Sequence, residues 1–544
     1  MSNSAKHKVV VIGAGIGGLV SALLLACKGF DVTVVEKASV PGGKMRQVNG
    51  VDSGPTVFTM RWILEQVFAS AGTTMAEHLK LYKLDVIARH AWAPSSSEDV
   101  ATLNLYADHK QSIDAVARFS GPAEAKRFEL FCQQAAKVYK TLEAPYIRSE
   151  RPNFLAITKD LGPRGLAVLA GLGPFASLWK TLGKSFTDQR LRQLFGRYAT
   201  YCGSSPMQAP ATLMLVADVE MQGVWGVEGG MSEVAKALAR LSESKGVHFI
   251  YNANATEIVC KSGAVSALKI SYLDEHNVLL SSDELSANSI VFNGDVSALA
   301  SGLLGISAIS AVPKTTQKTR EEKRSLSAIT WSVQIPTSGF ALDQHNVFFT
   351  QNYEQEFRDV FAANRLPQAG TVYVCAQDRG LPNQLIKQGQ SERLLCLVNA
   401  PAIGDHNHSM AFSPEAIAQC TQTHFNLLRS CGLQIDQLQL EQASVITTPI
   451  KFNQLFPATG GALYGQASHG WMNQFSRMGA VSQIPGLYLV GGSVHPGPGV
   501  PMAAMSGQLA AETIMAHLDS TKKFRRVVIA GGMSMPLATA DNSV

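Results

Sequence analysis

The stretch Lys8–Glu36 reads KVVVIGAGIGGLVSALLLACKGFDVTVVE and predicts a strand, a glycine turn, a helix and a second strand. Its first apolar residues are typical of a strand that is buried on both faces. Gly13, Gly15 and Gly18 follow in the spacing GxGxxG, which brings the backbone close to a pyrophosphate at a helix N-terminus. Glu36 ends the second strand, where a carboxylate accepts hydrogen bonds from ribose hydroxyls. The stretch therefore predicts a dinucleotide-binding βαβ unit.

A second glycine element, Gly42-Gly43-Lys44, follows the predicted ribose-binding acid. A glycine pair before a basic residue indicates a turn that passes close to an anionic group. A further tight turn is predicted at Val51–Thr56, shortly after it. Nicotinamide-binding domains do not usually need such an element, whereas flavoproteins that bind an extended FAD have one. The element favours FAD as the ligand, and two ordinary surface turns are the alternative.

Near the C-terminus, Ile484–Met502 predicts a strand at Leu487–Val490 and a glycine-rich turn, before a helix at Ala503–Leu518. A buried strand that enters a helix through such a turn presents backbone N–H groups to an electron-rich group. In a flavoprotein these N–H groups stabilise the reduced, anionic isoalloxazine ring. His495 lies in the turn, and we interpret it as a core histidine rather than a general base.

The composition indicates a globular protein of two or more lobes, since 544 residues exceed one small core. Charged residues make up only 16% of the chain, and the mean hydropathy is +0.06, which suits an apolar ligand or a membrane contact. No nucleic-acid-binding module is present, so a nucleic-acid partner is disfavoured. The eight cysteines are scattered without metal-ligand spacing, which predicts no metal site and reduced thiols in the cytoplasm. Neither a signal peptide nor a transmembrane helix is predicted.

Fifteen uncharged residues lie between Arg164 and Lys180. Gly171, Gly173 and Pro174 interrupt this apolar stretch, so it predicts two short helices. These helices suit a monotopic membrane contact or an apolar entrance to the active site, and simple core helices are the alternative.

Over about residues 8–516, the chain resembles the bacterial acyclic carotenoid desaturases. These are FAD proteins of the phytoene-desaturase type within the amine-oxidase superfamily. The most specific parts are the two glycine elements at the N-terminus and the segment 491–501. Val494 and Pro498 depart from the general family pattern. Together with the segments 59–62, 197–206 and 467–472, they resemble the hydroxycarotenoid 3,4-desaturase subgroup, which acts in the spheroidene and spirilloxanthin pathways of photosynthetic bacteria.

The resemblance implies an α/β fold in which a discontinuous Rossmann-type FAD-binding domain joins an α+β substrate domain with a helical, membrane-facing part. The predicted FAD-binding segments are 1–75, 226–305 and 441–518. The substrate segments are 76–225 and 306–440. For the remaining tail, 519–544, we expect a loosely ordered extension that either touches anionic lipid or is simply solvated.

The pattern and the resemblance together predict a set of cofactor-binding residues. These are Gly13, Gly15, Gly17, Gly18, Glu36, Lys37, Gly43, Lys44, Gly54, Pro55, Thr56, Ile258, Gly491, Gly492, Gly499, Val500 and Met502.

The resemblance also implies the chemistry. A hydride leaves an allylic carbon for flavin N5, and a proton then leaves the neighbouring carbon. Because the polyene spreads the charge, placement over the flavin carries most of the catalysis. We therefore name no catalytic residue. Asp218, Glu220 and Glu228 are the nearest carboxylates in sequence, and each is more often structural.

The implied partners are an apolar acyclic carotenoid, the cytoplasmic face of the inner photosynthetic membrane as a peripheral contact, and oxygen or a quinone as electron acceptor. The sequence predicts no particular oligomeric state. Four alternatives stay open: a phytoene desaturase, a carotenoid isomerase that uses reduced FAD, a flavin amine oxidase, and a flavin-binding protein without catalysis.

Overall fold

The computed structural model describes residues 6–94, 99–150, 154–173, 176–274, 278–381, 386–387, 389–406, 410–470, 473 and 476–525. The strands in chain order are β1 (Lys8–Ile12), β2 (Asp31–Val35), β3 (Gln47–Val48), β4 (Val51–Asp52), β5 (Leu81–Lys83), β6 (Val86–Trp92), β7 (Ala101–Tyr106), β8 (Trp225–Val227), β9 (His248–Ile250), β10 (Ala253–Lys261), β11 (Ala264–Leu273), β12 (Leu279–Ser286), β13 (Ser289–Phe292), β14 (Ser327–Pro336), β15 (Ser338–Gly339), β16 (His345–Phe349), β17 (Val372–Ala376), β18 (Ser391–Ala400), β19 (Leu433–Gln434), β20 (Val445–Thr447) and β21 (Leu487–Leu489).

The helices in chain order are α1 (Ile16–Ala26), α2 (Arg61–Ser70), α3 (His109–Ser120), α4 (Pro122–Leu142), α5 (Phe154–Leu172), α6 (Leu178–Ser185), α7 (Gln189–Gly196), α8 (Leu215–Met221), α9 (Ser232–Ser244), α10 (Val296–Ala300), α11 (Lys314–Thr319), α12 (Tyr353–Phe357), α13 (Pro414–Ser430), α14 (Gln437–Ala443), α15 (Pro449–Leu455) and α16 (Val500–Arg525). A 3₁₀ segment, Arg197–Cys202, follows α7 directly.

The smaller of the two main sheets is parallel and has the strand order β21-β13-β1-β2-β9. Its strands come from distant parts of the chain, and its buried residues explain the continuous apolar runs of the sequence. Helices α1, α9 and α16 pack together against one face. This sheet confirms the prediction of a Rossmann-type fold assembled from separate segments.

The larger sheet has seven strands in the order β20-β14-β18-β17-β16-β6-β7. One face packs on α13, where Trp331 meets Phe425 edge-on, with ring centroids 5.5 Å apart. The opposite face carries Val347, Tyr373 and Leu395 and turns towards the helices α4 to α7. The alternation of side chains along the strands therefore gives the sheet one face that packs on α13 and an opposite face that can contact a ligand.

The strands β14, β18, β17 and β16 pair antiparallel with one another, whereas β16 also pairs with β6 in parallel, because β6 comes from a distant segment whose direction the local pattern does not specify. The polar and charged composition of the segment 311–322 predicts a loop or linker, yet the segment contains α11. The last helix was expected to end at Leu518 and continues to Arg525, while the rest of the predicted tail lies outside the described residues.

The predicted domain bounds stay predictions, and the pairing of one strand bears on the third FAD-binding segment. Strand β20 lies inside the predicted third FAD-binding segment but pairs with β14 at the edge of the larger sheet.

The apolar stretch after Arg164 forms the end of α5 and the start of α6, with a break at Gly173 between them. Pro174 and Phe175, which we expected to contribute to the break and to a membrane contact, lie outside the described residues. Helix α5 itself is kinked at Gly162, where φ is 60°, before Pro163. Over the described part of the chain, no helix has both the length and the apolar character that a membrane span requires.

Candidate functional site

A cavity of about 490 Å³ lies between the carboxyl ends of the parallel strands and the inner face of the larger sheet. Ile12, Val35 and Phe292 line it from the parallel sheet. Leu395 and Leu397 line it from strand β18. Ligands of open parallel sheets bind in the crevice outside the carboxyl ends of the strands, so this cavity is the candidate site.

The first glycine turn shapes the start of the cavity. Gly13 has a φ of +96°, a conformation that favours glycine. A Cβ at Gly18 would collide with the Gly13 carbonyl oxygen, so helix and turn approach as closely as the fingerprint predicts. Asn293 holds the turn from the neighbouring strand, because its Nδ2 donates to the Gly13 carbonyl at 3.0 Å. A Cβ at Gly15 would lie 2.8 Å from the same amide nitrogen.

Helix α1 begins at this turn with Gly15 as its N-cap and without a side-chain cap. Its first N–H groups are therefore not satisfied by a capping side chain, and they can bind a phosphate with the help of the helix dipole.

Glu36 lies at the end of β2 and lines the cavity. Its Oε2 accepts from the Ala14 N–H at 2.7 Å, and its Oε1 accepts from the Ala38 N–H at 2.9 Å. Burial nevertheless raises the pKa of the Glu36 carboxyl above its ordinary value, because desolvation outweighs these hydrogen bonds. The remaining lone pairs can accept hydrogen bonds from a ribose.

The second glycine element lies against the first, since the Gly42 N–H donates to the Ala14 carbonyl at 2.9 Å. Lys44 extends from it across the cavity, and its Nζ donates to the Leu463 carbonyl. Desolvation lowers the pKa of the Lys44 ammonium, and Asp295 opposes that shift. Lys44 thus brings a buried positive charge to the cavity wall, which suits an anionic or electron-rich ligand.

Two side chains hold the C-terminal turn in place. Ser506 accepts a hydrogen bond from the Gly491 N–H at 2.8 Å. Arg477 is buried and donates to the Gly492 carbonyl at 3.1 Å and to the carbonyls of Tyr464 and Gln466. The turn therefore has a fixed shape before any ligand binds.

Most of the predicted cofactor-binding residues meet at this one cavity. Those that line it are Gly13, Gly15, Glu36, Lys37, Gly43, Lys44, Gly54, Pro55, Gly491, Gly492, Gly499 and Val500. They come from five places in the sequence, which supports a single extended ligand.

Five predicted residues do not line the cavity. Gly17 and Gly18 serve close packing, and a Cβ at Gly17 would lie 3.0 Å from the Ala503 carbonyl of α16. Met502 packs against the core of the parallel-sheet lobe. Thr56 binds the Tyr373 hydroxyl at 2.7 Å. Ile258 is fully buried, because strand alternation turns its side chain into the core beneath β10.

The three carboxylates near the return to the FAD lobe differ in their surroundings. Glu228 lies at the surface beside Lys80, with 3.4 Å between the charged atoms. Asp218 is half-buried and accepts from the Gln222 amide at 2.8 Å. Glu220 is buried and accepts from the hydroxyls of Tyr198 and Tyr201. None of the three lines the cavity in the part of the chain that the structure describes.

His495 is buried and meets the Tyr146 ring edge-on, with centroids 5.0 Å apart. Desolvation lowers the pKa of its imidazole to about 4, so the ring is neutral at physiological pH. This position agrees with the expected core histidine.

Sequence reasoning missed the residues that act on the glycine turns from elsewhere in the chain. Asn293 was visible only as the last residue of the strand predicted at Ile290–Asn293, and Arg477 lay in a segment without a motif. It also missed the apolar wall that Phe452, Leu455 and Phe456 contribute near α15. A polar residue at the carboxyl end of a parallel strand was the one available signal, and it pointed to Asn293.

The arrangement fits FAD. Free helix N–H groups at α1 suit a pyrophosphate, and Glu36 suits the ribose beside it. The Gly491–Val500 turn and Lys44 lie towards the other sheet and suit the electron-rich isoalloxazine ring.

Comparisons with known proteins agree with this assignment. Residues 16–515 match the family described as flavin containing amine oxidoreductase. The hydroxyneurosporene desaturase of Rubrivivax gelatinosus is 55% identical over 98% of this chain and 98% of its own length. The hydroxyneurosporene desaturase of Cereibacter sphaeroides is 40% identical over 95% of this chain and 99% of its own length.

Among solved structures, cyclohexylamine oxidase from Brevibacterium oxydans has a TM-score of 0.55 at 14% identity and covers 94% of this chain and 100% of its own. Putrescine oxidase bound to putrescine has a TM-score of 0.54 at 16% identity, over 94% of this chain and 99% of its own. Likeness at this identity concerns the fold alone. Fold, sequence family and cavity together confirm the predicted fold class and cofactor. The chain therefore belongs to the flavin-containing amine oxidoreductase family, where it groups with the hydroxyneurosporene desaturases, and it is an FAD-dependent oxidoreductase.

Proposed function

We propose that this protein is a carotenoid desaturase that introduces the C-3,4 double bond into an acyclic 1-hydroxycarotenoid. The observation that carries the proposal is the 55% identity to a hydroxyneurosporene desaturase along nearly the whole of both chains. A 1-hydroxycarotenoid 3,4-desaturase from Flavobacterium is 27% identical over 93% of this chain, which supports the same reaction.

The mechanism needs placement more than acid or base strength. When bound, FAD would supply the acceptor for a hydride from an allylic carbon of the substrate, and the polyene would spread the remaining positive charge until a proton leaves the neighbouring carbon. The residues of this chain hold the reactants and exclude water: Leu395, Leu397 and Phe452 provide an apolar wall. Glu36 and Asp295 are the carboxylates among the described residues that line the cavity, and both lie with the nucleotide-binding elements. No strong base is therefore assigned.

Pigment analysis tests the proposal. The protein is expressed in cells that make 1-hydroxyneurosporene, and the extracted pigments are measured by mass and absorption. We expect a product that is lighter by two hydrogen atoms and absorbs at longer wavelength, because conjugation gains one double bond. An unchanged mass with an altered absorption band identifies an isomerase, and conversion of phytoene alone identifies a phytoene desaturase. Oxidation of an amine by the purified holoenzyme identifies an amine oxidase.

Several finer properties belong to the same proposal. We place the protein in the cytoplasm as a peripheral protein of the inner membrane, since an apolar carotenoid partitions into lipid. The electron acceptor is oxygen or a quinone. The exposed Leu166 on α5 supports a membrane contact through this helix. Flotation with liposomes tests that contact: a protein that stays wholly in the aqueous fraction contradicts it.

A further inference from the structure

A buried polar cluster adjoins the apolar end of the cavity, and Arg197 is at its centre. The Arg197 guanidinium stacks on the rings of Tyr201 and Tyr373, 5.8 Å and 5.0 Å from their centroids. Glu220 lies beyond Tyr201, whose hydroxyl donates to it. Within the described residues, no carboxylate forms a direct ion pair with Arg197. A charge in such a place is expensive unless something compensates it.

The cluster borders the cavity through three contacts. Tyr373 lies opposite Leu397 on the neighbouring strand, and Leu397 lines the cavity. The Tyr373 hydroxyl binds Thr56, the residue after the cavity-lining Pro55. Tyr464, which also lines the cavity, lies within electrostatic reach of Arg197. Arg197 itself is partly exposed and does not line the cavity.

Two polar atoms of the cluster lack partners among the described residues. His345 is 2% exposed, and its Nδ1 shares a hydrogen bond of 2.7 Å with the Tyr373 hydroxyl. Its Nε2 has no hydrogen-bond partner, and neither has the hydroxyl of Tyr353, which is 3% exposed. Buried polar atoms are rarely left unpaired, and such a group calls for an explanation. A bound polar group is one explanation that a wholly apolar substrate does not supply.

We infer that the Arg197 guanidinium binds the oxygen on the end group of the carotenoid. This inference rests on the proposed function and concerns the substrate side of the same cavity. Three single bonds separate an oxygen on C1 from C3, so a group that holds this oxygen must lie near the flavin end of the cavity. Tyr464, which is within electrostatic reach of Arg197, lies towards that end, because Arg477 donates to the carbonyls of both Tyr464 and Gly492. A long polyene can slide along an apolar wall. The oxygen contact fixes its register, so that C3 and C4, rather than internal carbons, meet the flavin.

A guanidinium only donates hydrogen bonds, and this property makes the inference specific. It binds the oxygen of a hydroxyl or of a methoxy group equally well, since neither interaction uses the hydroxyl hydrogen. The planar fork of Arg197, which lies near two phenol rings, is poorly replaced by lysine.

The first test compares substrates with the holoenzyme. A 1-hydroxycarotenoid, its 1-methoxy derivative and the hydrocarbon of the same length compete for the enzyme, and kcat/KM is measured for each. We expect both oxygenated substrates to exceed the hydrocarbon by roughly 10- to 100-fold, the range of a hydrogen bond to a charged group. A methoxy compound as poor as the hydrocarbon overturns the donor role of Arg197. Equal use of all three overturns the inference and leaves the desaturase intact, whereas turnover of none overturns the proposed function and the inference with it.

The second test uses Arg197→Met in the FAD-loaded protein. We expect kcat/KM to fall roughly 10- to 100-fold for the hydroxycarotenoid and to change less than about threefold for the hydrocarbon. Arg190→Met is the matched control, because the Arg190 guanidinium also lies over an aromatic ring, that of Phe119 at 4.0 Å, and Arg190 does not line the cavity. An equal loss for both substrates assigns Arg197 a structural role and overturns the inference. If Arg197→Met fails to bind FAD, Arg197→Lys replaces it, with a smaller loss that is again confined to the oxygenated substrate.

Discussion

Glu36 shows at the scale of one residue how burial and ligand binding oppose each other. Burial raises the pKa of its carboxyl, because desolvation disfavours the charged form. In the apoprotein this group therefore favours folding below its ordinary pKa, and that contribution is lost as the pH rises through the raised value. Ribose hydroxyls reverse the preference, since they donate to the ionised carboxylate.

The first prediction is that FAD affinity falls as the pH decreases from neutral towards the raised pKa of Glu36. Binding favours the ionised form, so protonation competes with FAD. Fluorescence titration of the apoprotein with FAD at several pH values measures the effect. Glu36→Gln keeps the shape of the side chain without the titration, and we expect weaker binding with a flatter pH profile. Glu36→Arg removes the acceptors altogether and is expected to abolish FAD retention. An unchanged profile in Glu36→Gln contradicts the assignment.

At the scale of elements, Arg477 connects two segments whose described residues do not pair with each other as β-strands. Its guanidinium donates to the carbonyls of Tyr464 and Gln466 on one side and of Gly492 on the other. Both segments line the cavity, at Tyr464 and at the 491–493 turn. A buried arginine thus satisfies the backbone carbonyls of two irregular loops and holds the loops together, as backbone hydrogen bonds hold neighbouring strands together.

The second prediction is that Arg477→Met lowers the free energy of unfolding by roughly 2–4 kcal/mol, because buried carbonyls lose a charged donor. Urea unfolding of the apoprotein measures the change. Arg190→Met is the control: its partner Asp188 lies 2.7 Å away, but the Arg190 side chain is 37% exposed, so we expect less than about 1 kcal/mol. A loss of unfolding free energy no larger than that of the control shows that water replaces the guanidinium as the donor to these carbonyls.

Elements also show where sequence reasoning succeeds. The strand, turn and helix from Lys8 to Glu36 are specified by residues close together in the chain, and the structure has them as predicted. The roles of Asn293 and Arg477 depend on contacts with residues that are more than ten positions away in the sequence. The partner of Asn293 follows a neighbouring strand of the sheet. No local pattern records such contacts. The same limitation applies to the parallel pairing of β16 with β6 and to the apolar wall near α15.

At the scale of the whole molecule, one cavity joins two sheets that otherwise have separate cores. The glycine turn 13–18 contributes its nucleotide end, and Leu395 and Leu397 of the larger sheet contribute the opposite end. The discontinuity of the FAD lobe follows from this arrangement, since segments from both ends of the chain must meet around one ligand. FAD is therefore expected to stabilise both lobes.

The third prediction concerns hydrogen exchange with and without FAD. A ligand that binds only the folded state stabilises it by roughly 2.7 kcal/mol at a hundredfold excess over Kd. Because FAD spans the cavity, we expect slower exchange at the turns 13–18 and 491–500 and also at β18 in the larger sheet. The β11–β12 hairpin is the internal control, since none of its described residues lines the cavity. Protection confined to the parallel sheet means that FAD does not couple the lobes. Equal protection of the hairpin means that the effect is global stabilisation, and only the graded pattern agrees with a ligand held between the two sheets.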